Sequence, residues 1–384
     1  MTINNENKKL NVPNLRFPEF QGEWEESSIG EMFDLYSGNT PSRLNKEHFR
    51  GTINWISSGE LKEHYIYSSK EQISEEAAKS LKLLPVGTFV IAIYGLEAEG
   101  VRGTGSIIQE PSTISQACMS FIPKGVIENE FLYSWYKKHG NVIGIRYAQG
   151  TKQQNLSYDI LEKFRIAYPN SKEQEKLNNF ISLLDERIAT QNKIIEDLKK
   201  LNAQIAERLF NGMNGNVVAL SEVCNILKGK QINGDCLSET GAYYVMNGGI
   251  EPSGYYDQCN TLANTISISE GGNSCGYVQY NKEEFWSGGH CYTLTEIQSD
   301  VCNLYLYHYL KSKESSIMKL RIGTGLPNIQ KKDLEKFNIL LPSIDDQNRV
   351  STFLTTIERK ITNEELLHSR FKEQKQYLLR QMFI

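Results

Sequence analysis

Between residues 171 and 210 apolar side chains recur in alternating steps of four and three: Leu177, Ile181, Leu184, Ile188, Ile195, Leu198, Ile205 and Leu209. That period is a heptad seam, which predicts a long helix zipped to another helix. At about 1.5 Å per residue, a helix of roughly 38 residues would be on the order of 57 Å long. A second stretch, 344–383, carries the same seam through Val350, Leu354, Ile357, Ile361, Phe371, Leu378 and Met382. Gln191 and Asn202 interrupt the first seam, and Glu364 and Lys375 are their equivalents in the second. Such polar residues either fix helix register or lie at an exposed edge.

The two helices belong to a larger duplication. Gly150 recurs as Gly323 and Phe210 as Phe383, with a constant spacing of 173. Leu161–Pro169 (LEKFRIAYP) recurs as Leu334–Pro342 (LEKFNILLP), and Gly150–Leu156 (GTKQQNL) as Gly323–Ile329 (GTGLPNI). Further upstream Glu31 and Gly38 align with Glu222 and Gly229 at a spacing of 191. The second middle portion is therefore 18 residues shorter. One repeated frame with different contents is the expectation, not a short-period solenoid.

Within each middle the pattern alternates between strand and helix. Thr88–Tyr94, Ser106–Gln109, Tyr243–Met246, Thr265–Ser269 and Ser274–Tyr280 read as strands. Asn129–His139, with Phe131, Leu132 and Trp135 inward, and Asn303–Ser312 read as helices. A last strand alternates Phe164, Ile166 and Tyr168, matched by Phe337, Ile339 and Leu341, and stops at Pro169 or Pro342. Ser171 with Gln174 fits a capping box, and Ser343 or Asp345 caps the second long helix. The fold class is α+β: two mixed α/β domains in tandem pseudo-symmetric repeat, separated by two long helices forming an antiparallel coiled coil. The divisions are an arm 1–23, a domain 24–169, a helix 170–211, a domain 216–342 and a helix 343–384.

Composition narrows the class only slightly. Of 384 residues 39% are hydrophobic and 23% charged, as in an ordinary globular protein. No apolar run is long enough for a membrane span, and the first residues lack a signal-peptide core, so the expected location is cytoplasmic. Seven cysteines without a CxxC pair read as free thiols, and no metal is expected. The net charge is −4, and acidic residues slightly outnumber basic ones in both 24–169 and 211–342. Nucleic-acid binding would therefore need local basic patches.

Catalytic signatures are missing from the sequence. It holds no GxxxxGK[ST] phosphate loop, no HExxH, no GxSxG and no [DNS]PP[YF] motif for a flipped base. The glycine spacing of Gly100–Gly105 does not fit a dinucleotide fingerprint. This weighs against a self-sufficient DNA-modifying enzyme. Two equally framed but dissimilar domains weigh against a coiled-coil scaffold that binds no DNA.

The paired Gly-Thr turns, the paired LEKFxIxxP strands with their EQ- or DQ-containing helices, and the opening Asn11–Trp24 (NVPNLRFPEFQGEW) resemble the specificity subunit of type I restriction–modification systems. The resemblance implies two target-recognition domains, each reading one half of a split double-stranded DNA target. It implies two modification (methyltransferase) subunits docked on the helices, and restriction (translocase and nuclease) subunits beyond them. S-adenosylmethionine, ATP and Mg would be bound by those partners and no cofactor by this chain, which would have no catalytic residues. Phage defence is the implied role. Polar loop residues are the candidate DNA contacts, since Arg or Lys suits guanine edges, Asn or Gln adenine edges, and all can hold phosphates. In the first domain these are Asn39, Ser42, Arg43, Lys46, Ser57, Ser58, Lys62, Tyr94, Arg102, Arg146 and Lys152. In the second they are Lys228, Lys230, Gln231, Asn247, Asn273, Lys282, His290 and Arg321.

Overall fold

A computed structural model describes residues 10–98, 100–150, 154–323, 325 and 327–384. Contacts divide the chain into two units: one runs to Thr190 and includes His368–Ile384, the other is Gln191–Leu367. Each unit contains one domain and one stretch of each long helix.

The first unit holds β1 (Glu25–Ser28), β2 (Phe33–Ser37), β3 (Ile53–Ile56), β4 (Tyr65–Ile66), β5 (Glu71–Ile73), β6 (Phe89–Ala92), β7 (Gly105–Ile108), β8 (Ser112–Ile114), β9 (Cys118–Pro123) and β10 (Arg165–Tyr168). They form a five-stranded sheet in the order β2-β9-β6-β7-β4, a small sheet β5-β3-β8 and a pair β1-β10. The second unit holds β11 (Asn216–Ala219), β12 (Asn225–Lys228), β13 (Tyr243–Met246), β14 (Tyr255–Tyr256), β15 (Thr265–Ser269), β16 (Val278–Asn281), β17 (Trp286–Ser287), β18 (Cys291–Thr295) and β19 (Asn338–Leu341). Their orders are β12-β18-β15-β16, β14-β13-β17 and β11-β19. The middles share a strand topology as well as a frame. Even the parallel pairings recur, β3 with β8 and β13 with β17. The first domain adds β4 and a longer excursion between β3 and β6.

Each core is a sheet covered by one helix. In the first unit, helix Asn129–Tyr147 packs on β6, β7 and β9 and buries Phe131, Leu132 and Trp135; Tyr133 and Tyr136 meet Phe89 edge to face, Phe89 stacks on Phe121, and Phe33 meets Phe121 edge to face. In the second, helix Asn303–Ser312 likewise buries Tyr305, Leu306 and Leu310. The C-terminal end of each long helix supplies one more ring: Phe383, just after the second, lies 5.2 Å from Phe131, and Phe210, in the last turn of the first, lies 5.7 Å from Tyr305.

The long helices are Ser171–Gly212 and Ile344–Met382. Along the seams Leu177, Ile181, Ile195, Val350, Leu354, Ile361 and Met382 are buried. Leu184, Ile188, Leu198, Ile205, Leu209, Ile357, Phe371 and Leu378 are half-buried. In the first unit Asp185 pairs with Lys375, and Arg187 lies 5.0 Å over the Phe371 ring, so the segments run antiparallel. In the second unit Gln191 is buried and donates to Glu364, its own repeat equivalent, at 2.5 Å. Lys199 pairs with Glu365 at 2.6 Å. Among the described residues no helix is long and apolar enough to cross a membrane.

Several local expectations are corrected. The first long helix begins at Ser171, so its cap is the preceding Asn170, whose Oδ1 accepts from the Glu173 N–H at 3.1 Å. Gln174 is not a capping partner. It is fully buried; its amide donates to the Pro169 and Val126 carbonyls at 2.9 and 3.2 Å and accepts from the Glu128 N–H at 3.0 Å. Gln347 repeats the triplet with Pro342, Asp300 and Cys302 at 3.0, 3.2 and 2.8 Å. Ser343 caps the second helix, accepting from the Asp346 N–H at 3.2 Å. The strand expected over 274–280 starts only at Val278, because residues 272–277 turn, with Gly276 at φ +93° tucked against Met318. Helix 129–139 continues to Tyr147, and the Arg102 side chain lies across it at Gly144, where a Cβ would meet Arg102 Cγ at 2.5 Å.

The arm 10–23 is latched to the first unit. Arg16 meets Glu173 through two bonds of 2.8 and 2.7 Å, the carboxylate is fully buried, and the Trp24 indole donates to it at 3.3 Å. The Leu15 N–H donates to the Gln381 carbonyl at 3.0 Å.

Candidate nucleic-acid interface

One set of strand ends in each domain gathers its loops. In the first, β2 exits through Gly38, whose N–H donates to the Cys118 carbonyl. A Cβ there would sit 2.0 Å from the Ile114 carbonyl oxygen, so only glycine fits. The Ile93 N–H donates to the Ala117 carbonyl, and the Ser115 N–H to the Ile56 carbonyl, drawing the exits of β6, β8 and β3 together. In the second, Gly229 donates to Cys291 and Glu270 to His290. The residues flanking each Gly-Thr segment are paired the same way in both domains. Gln149 and Asn155 exchange main-chain bonds, as do Ile322 and Asn328, with Gly150 at φ +102° and Gly323 at φ +96°. The closed loops then dock: Leu96 donates to Gln154 and Leu156 to Ile93, while Gly272 donates to Pro327 and Ile329 to Glu270.

The sequence candidates divide on this surface. In the first domain Asn39, Ser57, Ser58 and Tyr94 lie at the gathered loops. Asn39 builds its loop, accepting from the Trp55 indole at 2.9 Å through its main-chain oxygen. Ser57 is tied to Glu60 at 2.6 Å. Ser42, Lys46 and Lys62 are exposed on the neighbouring turns. Arg43 is already engaged: it donates to Glu71 at 2.9 and 2.7 Å and lies 4.5 Å over Phe49, and its hydrogen bonds to the Glu71 carboxylate raise its pKa further. Arg102 is half-buried and donates to Gln154 at 2.8 Å. Arg146 is set apart, on a groove of about 270 Å³ with Trp135, His139, Phe164 and Ile384. Lys152 lies outside the described residues.

In the second domain Lys228, Lys230, Gln231, Asn247 and His290 come together. Gly229 and Gly289 bring Gln231 against the 288–290 turn, and the Asn247 side chain accepts from the His290 N–H at 3.1 Å. Asn273 is exposed on the adjoining turn, and Arg321 is exposed just before the closed loop 322–328. Lys282 is separate, after the far end of β16, where its charge acts on Glu358 of the second long helix.

Sequence reasoning missed the residue at the floor of this cluster. Glu270 is 8% exposed. Its Oε1 accepts from Lys228 Nζ at 2.6 Å and from the Tyr292 hydroxyl at 3.1 Å. Its Oε2 has no hydrogen-bond partner among the described residues and faces His290 Nδ1 at 3.5 Å. Burial and this carboxylate together raise the Tyr292 pKa, so the phenol stays a neutral donor.

The model of the type I restriction modification DNA specificity domain matches residues 21–200 and again 214–369. A type I restriction enzyme specificity subunit of Escherichia coli (EcoR124I/EcoR124II) is 31% identical over 192 residues, 48% of this chain and 46% of that one. The MjaIX specificity subunit of Methanocaldococcus jannaschii is 29% identical over 194 residues, 49% of this chain and 44% of that one. The matched stretch thus spans under half the length of each relative. Among solved structures, the S subunit of a type I restriction–modification system from M. genitalium superposes with a TM-score of 0.63 at 20% identity, covering 97% of this chain and 99% of that one. With its domain matched twice over most of its length, this chain belongs to the type I restriction–modification DNA specificity family.

Proposed function

We propose that this chain is a non-catalytic DNA-reading subunit whose two domains each recognise one half of a split, asymmetric double-stranded target. The observation that supports it is the pair of domains with one strand topology and one loop-docking scheme but different side chains at the gathered loops. The paired helices set the gap between the halves and receive two modification subunits. Those partners bind S-adenosylmethionine and methylate adenine, and restriction subunits supply ATP- and Mg-dependent cleavage. The expected compartment is the cytoplasm.

The test replaces residues 39–149 with the corresponding segment of another family member. Methylated adenines are then mapped in DNA from cells carrying the modification partner. One half-site is expected to change, with the other half and the gap intact. A swap that alters both halves would refute the modular reading.

A further inference from the structure

The two reading ends can be compared residue by residue, because the same main-chain bonds recur. Gly38 donates to Cys118 as Gly229 does to Cys291; Ile93 donates to Ala117 as Glu270 does to His290; Leu156 donates to Ile93 as Ile329 does to Glu270. Strand register agrees, pairing Ser37 with Met119 and Lys228 with Tyr292. Lys228, Glu270, His290 and Tyr292 therefore occupy the places held by Ser37, Ile93, Ala117 and Met119. One domain has a charged network where the other has a hydroxyl and apolar groups. A carboxylate is rarely buried without a task, because desolvation disfavours its charge unless partners hold it. Here the partners are the Lys228 ammonium and the His290 imidazole, both of which remain outside: the Lys228 side chain is 51% exposed and that of His290 61%.

We propose that Glu270 is a specificity-setting positioning residue of the second domain. It fixes the Lys228 ammonium at the loop cluster so that it donates to O6 and N7 of a guanine in the major groove, and the first domain has no counterpart. A free lysine is a mobile point charge suited to any phosphate. Anchoring its Nζ 2.6 Å from a buried oxygen, itself braced by Tyr292, removes that freedom and leaves two N–H donors in fixed directions. Guanine presents two adjacent acceptors to such a donor, and adenine presents an acceptor beside a donor. His290 faces the other oxygen and keeps the carboxylate from swinging toward the DNA.

This inference rests on the proposed reading of DNA by two domains, and the experiment separates the two. The full chain is assembled with its modification subunits, and methylated adenines are mapped by sequencing for the wild type, Glu270→Gln and Lys228→Ala. Lys228 is at the rim, so its truncation leaves the fold intact, whereas Glu270→Gln keeps the shape and removes the charge. Both variants are expected to lose about tenfold or more of the guanine preference at the same single position of one half-site. The other half and the gap stay as in the wild type. A uniform fall in methylation over an unchanged target would assign Lys228 to phosphate and overturn the proposal. So would an unchanged target in Lys228→Ala, or relaxation by Lys228→Ala that Glu270→Gln does not reproduce. A wild-type pattern without a two-part sequence would instead sink the underlying reading of the chain.

Discussion

Gln174 and Gln347 make the sharpest stability prediction. Each sits in the first turn of a long helix and ties together the carbonyl that ends the last strand, the segment before the domain's own helix, and that helix's N-cap. Gln→Met keeps the length and most of the volume, so the lost bonds dominate over any cavity. The stranded N–H of Glu128 or Cys302 is worth about 1–3 kcal/mol, and two carbonyls that lose a donor add roughly 0.5–1.5 kcal/mol each. The sum is on the order of 4 kcal/mol, or roughly a thousandfold in the local opening equilibrium. Hydrogen exchange measured by mass spectrometry on peptides covering 124–132 and 298–306 reads this directly. Gln174→Met should deprotect the first peptide and spare the second, and Gln347→Met the reverse. Less than about tenfold at the mutated site would refute the argument, as would equal deprotection at both sites.

Three further outcomes follow from the same structure. Leu354→Asp, at a seam position 1% exposed, buries an unpaired carboxylate and should abolish cooperative unfolding of the chain; a melting curve like the wild type's would remove the seam's role. His64 is held between Asp185 at 3.2 Å and Glu130 at 2.9 Å and stacked between Tyr65 and Tyr133. Burial opposes its charge, but the bonds to Asp185 and Glu130 prevail and raise its pKa above 6.5. Its stabilisation is full below pH 6.5 and is lost as pH rises through the raised value, so His64→Gln should flatten the pH dependence of the urea midpoint above pH 6.5; an unaltered dependence counts against it. Finally, with net charge −4 the isolated chain should bind DNA weakly, with a shallow salt dependence that steepens when modification subunits add basic surface. Tight, sequence-specific binding by the chain alone would contradict this.

The frame was legible because its signals are long. Fifteen seam positions in a 3.5-residue period override any local ambiguity, and helix Asn303–Ser312 stands as read. Helix ends were less legible: the helix read over 129–139 runs on past Gly140 and Gly144 to Tyr147, and nothing in the local pattern marks where it stops. The common topology of the middles was hidden, because strands of two to five residues such as β14, β17 and β8 carry too little pattern and pair out of order. The tasks of Gln174 and Gln347 left a trace, each five residues beyond the repeated Pro169 or Pro342. Glu270 left none: Lys228, Tyr292 and His290 reach it from other strands and turns. Arg43, promising in sequence, turns out to be spoken for by Glu71.

The docking of the closed loops bears on how such a chain changes over generations. Its bonds run from main chain to main chain, so they ignore side-chain identity. Leu96 and Gly272 donate alike, Gln154 and Pro327 accept alike, and Ile93 and Glu270 serve equally as the carbonyl beneath. A joint of this kind is blind to the spelling of the parts it joins. Substitutions at those positions, or wholesale exchange of the segment between two joints, leave the mounting intact while the exposed chemistry is rewritten. New specificity can then be acquired in one recombination event, without compensating mutations in the frame.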